Sequence, residues 1–74
     1  MNQSVIGRIF RAASLDPDFR RLALKDLGVA LAQEGFILTD AEMHEMRGLW
    51  EPLIPLPERT SRERIAALAR SYTR

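Results

Sequence analysis

The stretch from Leu15 to Leu53 constrains this chain more than any other, because it carries a closely spaced series of helix start and stop signals. Asp16-Pro17-Asp18 sets a side-chain acceptor at an N-cap, proline at the first helical position, where its missing N–H costs nothing, and a carboxylate against the positive end of the helix dipole. Gly35 follows a run of helix formers and precedes Phe36-Ile37-Leu38, so it is the natural left-handed residue to end one helix. Thr39-Asp40-Ala41-Glu42 then matches the S/T-x-x-E capping box, in which two side chains satisfy two orphan backbone N–H groups, and a further helix starts there. None of these signals needs a catalytic group; they describe architecture first.

Periodicity fills in the elements between the signals. Val5, Ile6, Ile9, Phe10 and Ala13 recur at helical spacing and predict a short amphipathic helix from Ser4 to about Ala13. A second helix is expected from Pro17 to about Lys25, with Phe19, Leu22 and Ala23 inward and Arg20 and Arg21 outward. Asp26 can act as a fresh N-cap for Leu27 to Glu34, or the two segments can form one bent helix. Gly28 inside that segment implies either close helix packing or a break near Asp26. Phe36-Ile37-Leu38 is too short for a strand and reads as a loop that plugs the core. The fourth helix spans roughly Asp40 to Trp50; its Met43 and Met46 suit either a core or an adaptable binding groove.

Pro52, Pro55 and Pro57 interrupt any helix and stiffen residues 52–60 toward an extended boundary. Beyond it, Thr60-Ser61-Arg62-Glu63 supplies a second capping box, and Ile65, Leu68, Ala69 and Tyr72 follow at i, i+3, i+4, i+7. The expected organisation is a helical domain over 1–51, the boundary at 52–60, and a basic amphipathic helix or mobile tail over 61–74. The fold class is all-α, four to five short helices, with Ile6, Ile9, Phe10, Phe19, Leu22, Leu27, Leu31, Phe36, Leu38, Met43, Met46 and Leu49 in the core.

Seventy-four residues lie near the lower limit for one self-sufficient hydrophobic core. The absence of cysteine removes disulfides, thiolate nucleophiles and cysteine-based zinc sites, and fits a reducing compartment. Apolar runs are only a few residues long, too short for a membrane span or a secretory signal, so a soluble cytoplasmic protein is expected. Net charge is +1, but residues 1–25 hold five basic and two acidic side chains, residues 26–53 one and six, and residues 54–74 five and two. Such segregation means that the ends attract the middle or lie on another face of the fold, or that the charges simply form solvated surfaces.

Chemical sites are few. His44 is the only histidine, flanked by Glu42 and Glu45, whereas a metal needs three or four convergent ligands and a general base needs a pocket or nucleophile beside it. No catalytic residue, metal ligand or cofactor site is assigned. Arg59, Arg62, Arg64, Arg70 and Arg74 can neutralise phosphates in a helix-turn-helix, but Asp40, Glu42 and Glu45 open the only helix preceded by a clear tight turn and would repel them.

Ser4-Val5-Ile6-Gly7-Arg8, Asp16-Pro17-Asp18-Phe19-Arg20, the Leu22…Asp26…Ala30-Leu31 run, Gly35 and Leu38-Thr39-Asp40-Ala41-Glu42 together resemble, in order over residues 4–50, the nitrile hydratase leader peptide (NHLP) clan. The clan covers leader domains of ribosomally synthesised, post-translationally modified peptide (RiPP) precursors and their stand-alone relatives. The resemblance implies a helical handle recognised by a modifying enzyme, with a C-terminal core peptide as substrate. The chain departs from that pattern: no double-glycine or Gly-Ala cleavage site precedes the tail, and the tail has no cysteine. Candidate modification sites are Thr60, Ser61, Ser71, Tyr72 and Thr73, with Glu58 and Glu63 as acyl partners.

Two functions from different classes follow. One is a non-catalytic RiPP precursor or leader-like protein that presents its tail to a modifying enzyme. The other is a small helical accessory subunit or adaptor, itself unmodified; nucleic-acid binding is third. For either of the first two, the expected partner surface is Trp50, Leu53, Ile54 and Leu56 with Arg59, a proline-stiffened strip carrying residue types enriched at hot spots. The alternative reading of Trp50 is a lid on the open end of the bundle.

Overall fold

The computed structural model describes residues 4–72, and all regular structure among them is helical. Five helices follow in order: α1 (Val5–Leu15), α2 (Pro17–Lys25), α3 (Leu27–Gln33), α4 (Asp40–Trp50) and α5 (Glu58–Tyr72), with a single 3-10 turn at Glu51–Leu53. None is long and apolar enough to cross a membrane.

Their ends are set by the local chemistry of the sequence. The Ser4 hydroxyl accepts from the Gly7 N–H at 3.1 Å and opens α1. Asp16 ends α1 and caps α2: its Oδ1 accepts the N–H of Asp18 and of Phe19 at 3.0 and 3.2 Å. Asp26 does the same between α2 and α3, accepting from the Val29 N–H at 3.2 Å while its own backbone is extended at φ −155°, so these are two helices rather than one bent one. At the end of α3, Gly35 is left-handed at φ 76°, the Phe36 N–H donates to the Leu31 carbonyl at 2.9 Å and the Gly35 N–H to that of Ala32 at 3.2 Å. This pair of bonds is a Schellman motif. The capping box at α4 is complete: the Glu42 N–H donates to Thr39 Oγ1 at 3.1 Å and the Thr39 N–H to Glu42 Oε1 at 2.8 Å.

The hub of the packing is α1, which lies against α5 along much of its length and also touches α2 and α4. Its face Ile6, Ile9, Phe10 and Ala13 is buried, and Phe10 joins three elements, its ring 5.8 Å from that of Trp50 and 6.2 Å from that of Tyr72. Phe10 beside Tyr72, with Leu15 sharing a groove with Ala66, makes α1 and α5 antiparallel. Of the expected core, Ile6, Ile9, Phe10, Phe19, Leu31 and Met46 are buried, while Leu22, Leu27, Phe36, Leu38, Met43 and Leu49 pack half-buried around them. Val5, Trp50, Leu53 and Ile65 are buried as well, together with the small Ala13, Ala23, Ala30, Ala69 and Ser61, which allow short helices to approach closely.

Four expectations are corrected. Arg20 does not point outward: it is buried, and its Nη1 donates to the Ala13 carbonyl at 2.9 Å. That carbonyl lies in the last turn of α1, where no intrahelical donor is available, so the guanidinium of α2 caps the negative end of α1. Ile37 does not plug the core but stands in solvent at 90% exposure, flanked by the half-buried Phe36 and Leu38 that take the inward positions. The proline segment is not extended; the Ile54 N–H donates to the Glu51 carbonyl and the Leu56 N–H to that of Leu53, both at 3.2 Å, and these tight turns tuck Leu53 inward. Finally, α5 starts at Glu58, directly after Pro57, and Thr60 is already inside the helix rather than capping it. The Ser61 hydroxyl instead donates back to the Glu58 carbonyl at 3.0 Å.

Of the two readings of Gly28, close packing is absent, since a Cβ there would meet only Asp26 Oδ1 at an ordinary 3.7 Å, and the break at Asp26 is present. The tail-borne helix, by contrast, is part of the interior, with Ile65 and Ala69 in the same buried cluster as Ile9 and Phe10. The boundary drawn at 52–60 is therefore a turn within one packed unit.

Candidate partner-binding surface

The strip expected from the sequence is split by the fold. Trp50 is 1% exposed and Leu53 is buried; both belong to the core, which corrects their assignment to a partner surface. The reason is a specific bond: Trp50 Nε1–H donates to the Ala23 carbonyl at 2.9 Å, an orphan acceptor in the last turn of α2. Trp50 is a lid, and its indole also closes a helix end. Leu56 is half-buried, Arg59 is exposed, and Ile54 is 51% exposed.

Ile54 does border a shallow groove of about 180 Å³, with Leu24 and Leu27 on one side and Arg47 and Glu51 on the other. Proline and the 3-10 turn hold Ile54 at this rim, because Leu53 next to it is fixed inward. The groove carries two cations, Lys25 and Arg47, and one anion, Glu51.

A second groove, about 250 Å³, was not anticipated. It runs between α1 and α5 and is lined by Arg11, Ser14 and Leu15 from one helix and Ala66, Ala69 and Arg70 from the other. Leu15 is 71% exposed there. The sequence held a signal for it: Leu15 falls off the periodic face defined by Ile6, Ile9, Phe10 and Ala13, so a large apolar side chain sits where the amphipathic pattern wants a polar one. What the pattern omits is the neighbour, since only the docking of α5 makes a groove of that position.

The candidate modification sites lie on α5, except Thr73, which falls outside the described residues. Ser61 is fully buried, Thr60 and Tyr72 are half-buried, and the Tyr72 ring stacks on Phe10; Ser71 is exposed. Glu58 and Glu63 are exposed on the same helix. His44 is exposed on α4, and among the described residues no three His, Cys, Asp or Glu side chains converge as metal ligands would.

Electrostatically, α1 and α5, from the two basic ends of the chain, pack on each other, and no ion pair among the described residues joins either to the acidic middle. The one ion pair among the described residues joins Arg21 and Asp18 at 3.6 Å within a single turn of α2, with both side chains largely in solvent. It contributes little. Arg8 and Arg11 on α1, and Arg62 and Arg70 on α5, are exposed and in no ion pair among the described residues. No family model matches the chain, and neither a characterised protein nor a solved structure does.

Proposed function

We propose that the chain is a non-catalytic recognition module, a small helical accessory subunit or adaptor that binds a protein partner and is not itself modified. The observation that carries this reading is the position of α5, whose Ile65 and Ala69 are core residues and whose Ser61 is fully buried. A core peptide must enter an active site in extended form, and here that would require stripping the longest helix from α1. The resemblance of residues 4–50 to NHLP leader domains supports recognition by an enzyme, in the form of a stand-alone relative, in the cytoplasm.

The precursor reading is retained as a second one because Ser71, in the last turn of α5, is exposed and can be reached without unfolding the core. Mass spectrometry of the chain purified from its host, together with whatever co-purifies, separates the two. The adaptor reading expects the mass calculated from the sequence and a stoichiometric complex. A mass shift that maps to Thr60, Ser61, Ser71, Tyr72 or Thr73 overturns it in favour of the precursor.

A further inference from the structure

We propose that the groove between α1 and α5 docks an acidic amphipathic segment of a protein partner, with an apolar side chain seated against Leu15 and Ala66 and carboxylates meeting Arg11 and Arg70. This deepens the adaptor reading and rests on it, since it names the surface and the chemistry of the partner.

Charge complementarity identifies the occupant. Arg11 and Arg70 stand on the two helices that form the groove, both exposed and in no ion pair among the described residues. α1 contains no acidic residue at all. The nearest carboxylate in sequence, Asp16, is engaged in capping α2, where it accepts two backbone N–H groups. Arg8 lies about one turn from Arg11 along α1, and Arg62 about two turns from Arg70 along α5. Although α5 also carries Glu58 and Glu63, Arg11 and Arg70 are the charged side chains among the described residues that line the groove, and a partner bearing carboxylates complements them.

The floor decides between classes of polyanion. Leu15, at 71% exposure, is an apolar anchor point one helical turn from Arg11, and the small Ala66 and Ala69 line the opposite wall, with Arg70 one turn from Ala66. A peptide with an apolar side chain one turn from its acids matches both features, as helices laid into apolar grooves do. Nucleic acid does not: no aromatic ring lines the groove for a base to stack on, and covering Leu15 with phosphates gains nothing.

The test is fluorescence anisotropy on the full chain with two labelled peptides of equal length, one with leucines at helical spacing among glutamates, the other with lysines replacing the glutamates. The glutamate peptide should bind saturably at low salt and the lysine peptide should not. Arg11→Glu or Arg70→Glu should weaken binding by about tenfold or more, and so should raising the salt. Leu15→Ser should weaken it while Arg47→Glu, beside the other groove, leaves it unchanged. All four side chains are exposed, so circular dichroism melts should stay near that of the parent.

Equal binding of both peptides, no binding of the glutamate peptide, or indifference to Arg11 and Arg70 overturns the proposal. So does an oligonucleotide or a phosphatidylserine vesicle that displaces the peptide and depends on the same arginines. If a complex purified from the host survives Arg11→Glu with Arg70→Glu, the adaptor reading stands and this groove is not its interface. If the chain proves to be modified yet still binds the peptide, the groove stands and the adaptor reading falls.

Discussion

The indole N–H of Trp50 reaches the carbonyl of Ala23, 27 residues earlier in the chain, at 2.9 Å and in a fully buried setting. One side chain thereby closes the end of α2 and fills the core against Phe10. Trp50→Ala removes both and should cost about 3–5 kcal/mol, a large share of the roughly 4–11 kcal/mol available to a domain of this length. Trp50→Phe keeps most of the ring but leaves the Ala23 carbonyl unpaired, at about 1–3 kcal/mol. Urea unfolding followed by circular dichroism measures both. A Trp50→Ala variant as stable as the parent would restore this residue to the list of surface candidates.

Arg20 plays the same part for α1. Its guanidinium, buried and bonded to the Ala13 carbonyl, has no acidic partner among the described residues, so its stem and its single capping bond carry its contribution. Arg20→Met preserves the apolar stem and loses the donor, and should cost about 1–3 kcal/mol. Arg20→Ala loses the packing as well and should be worse. Equal stabilities of the two variants would show that the stem contributes nothing.

These two side chains mark the limit of what could be read from the sequence. Every helix start up to α4 was legible, because N-caps and the Gly35 turn are chemistry between residues two to five apart. The closing of α1 and α2 was not, because their last carbonyls take donors from another helix. Arg20 lies at the edge of the face made by Phe19 and Ala23, and periodicity alone cannot say whether such an arginine turns to water or to a carbonyl. The same holds for the surface: Ile54 could be named from its proline setting, whereas the groove at Leu15 exists only because two segments some fifty residues apart pack together. Even the start of α5 was displaced, since Thr60-Ser61-Arg62-Glu63 has the letters of a capping box but lies inside a helix that Pro57 had already begun.

Two glycines should respond in opposite directions to alanine. Gly48 lies in the exposed interior of α4, where an added Cβ meets nothing within 4 Å, so Gly48→Ala should stabilise by about 0.5–1 kcal/mol and raise the melting temperature by a few degrees. Gly35, at φ 76°, also has open space around it, but its conformation is one that alanine resists, and Gly35→Ala should destabilise by about 1 kcal/mol. Thermal melts of the two variants test the claim together. Two shifts of the same sign would contradict the left-handed turn or the helical glycine.

The last prediction concerns the helix that divides the two functional readings. A chain ending at Pro57 keeps α1 to α4 and the 3-10 turn, but loses Ile65, Ala69 and Tyr72 from the buried cluster and lays bare the side of α1 that they cover. The remaining helices have 7 to 11 residues each, a length at which a helix in water persists only through packing. Residues 1–57 should therefore lose their cooperative thermal transition, and their helical signal should fall by more than the share that α5 itself contributed. Supplying residues 58–74 as a separate peptide should restore part of that signal, because the α1–α5 contact is formed by side chains and not by the connecting turn. If residues 1–57 instead melt cooperatively on their own, α5 is an appendage that can be released, and the chain regains the organisation of a leader with a presentable tail.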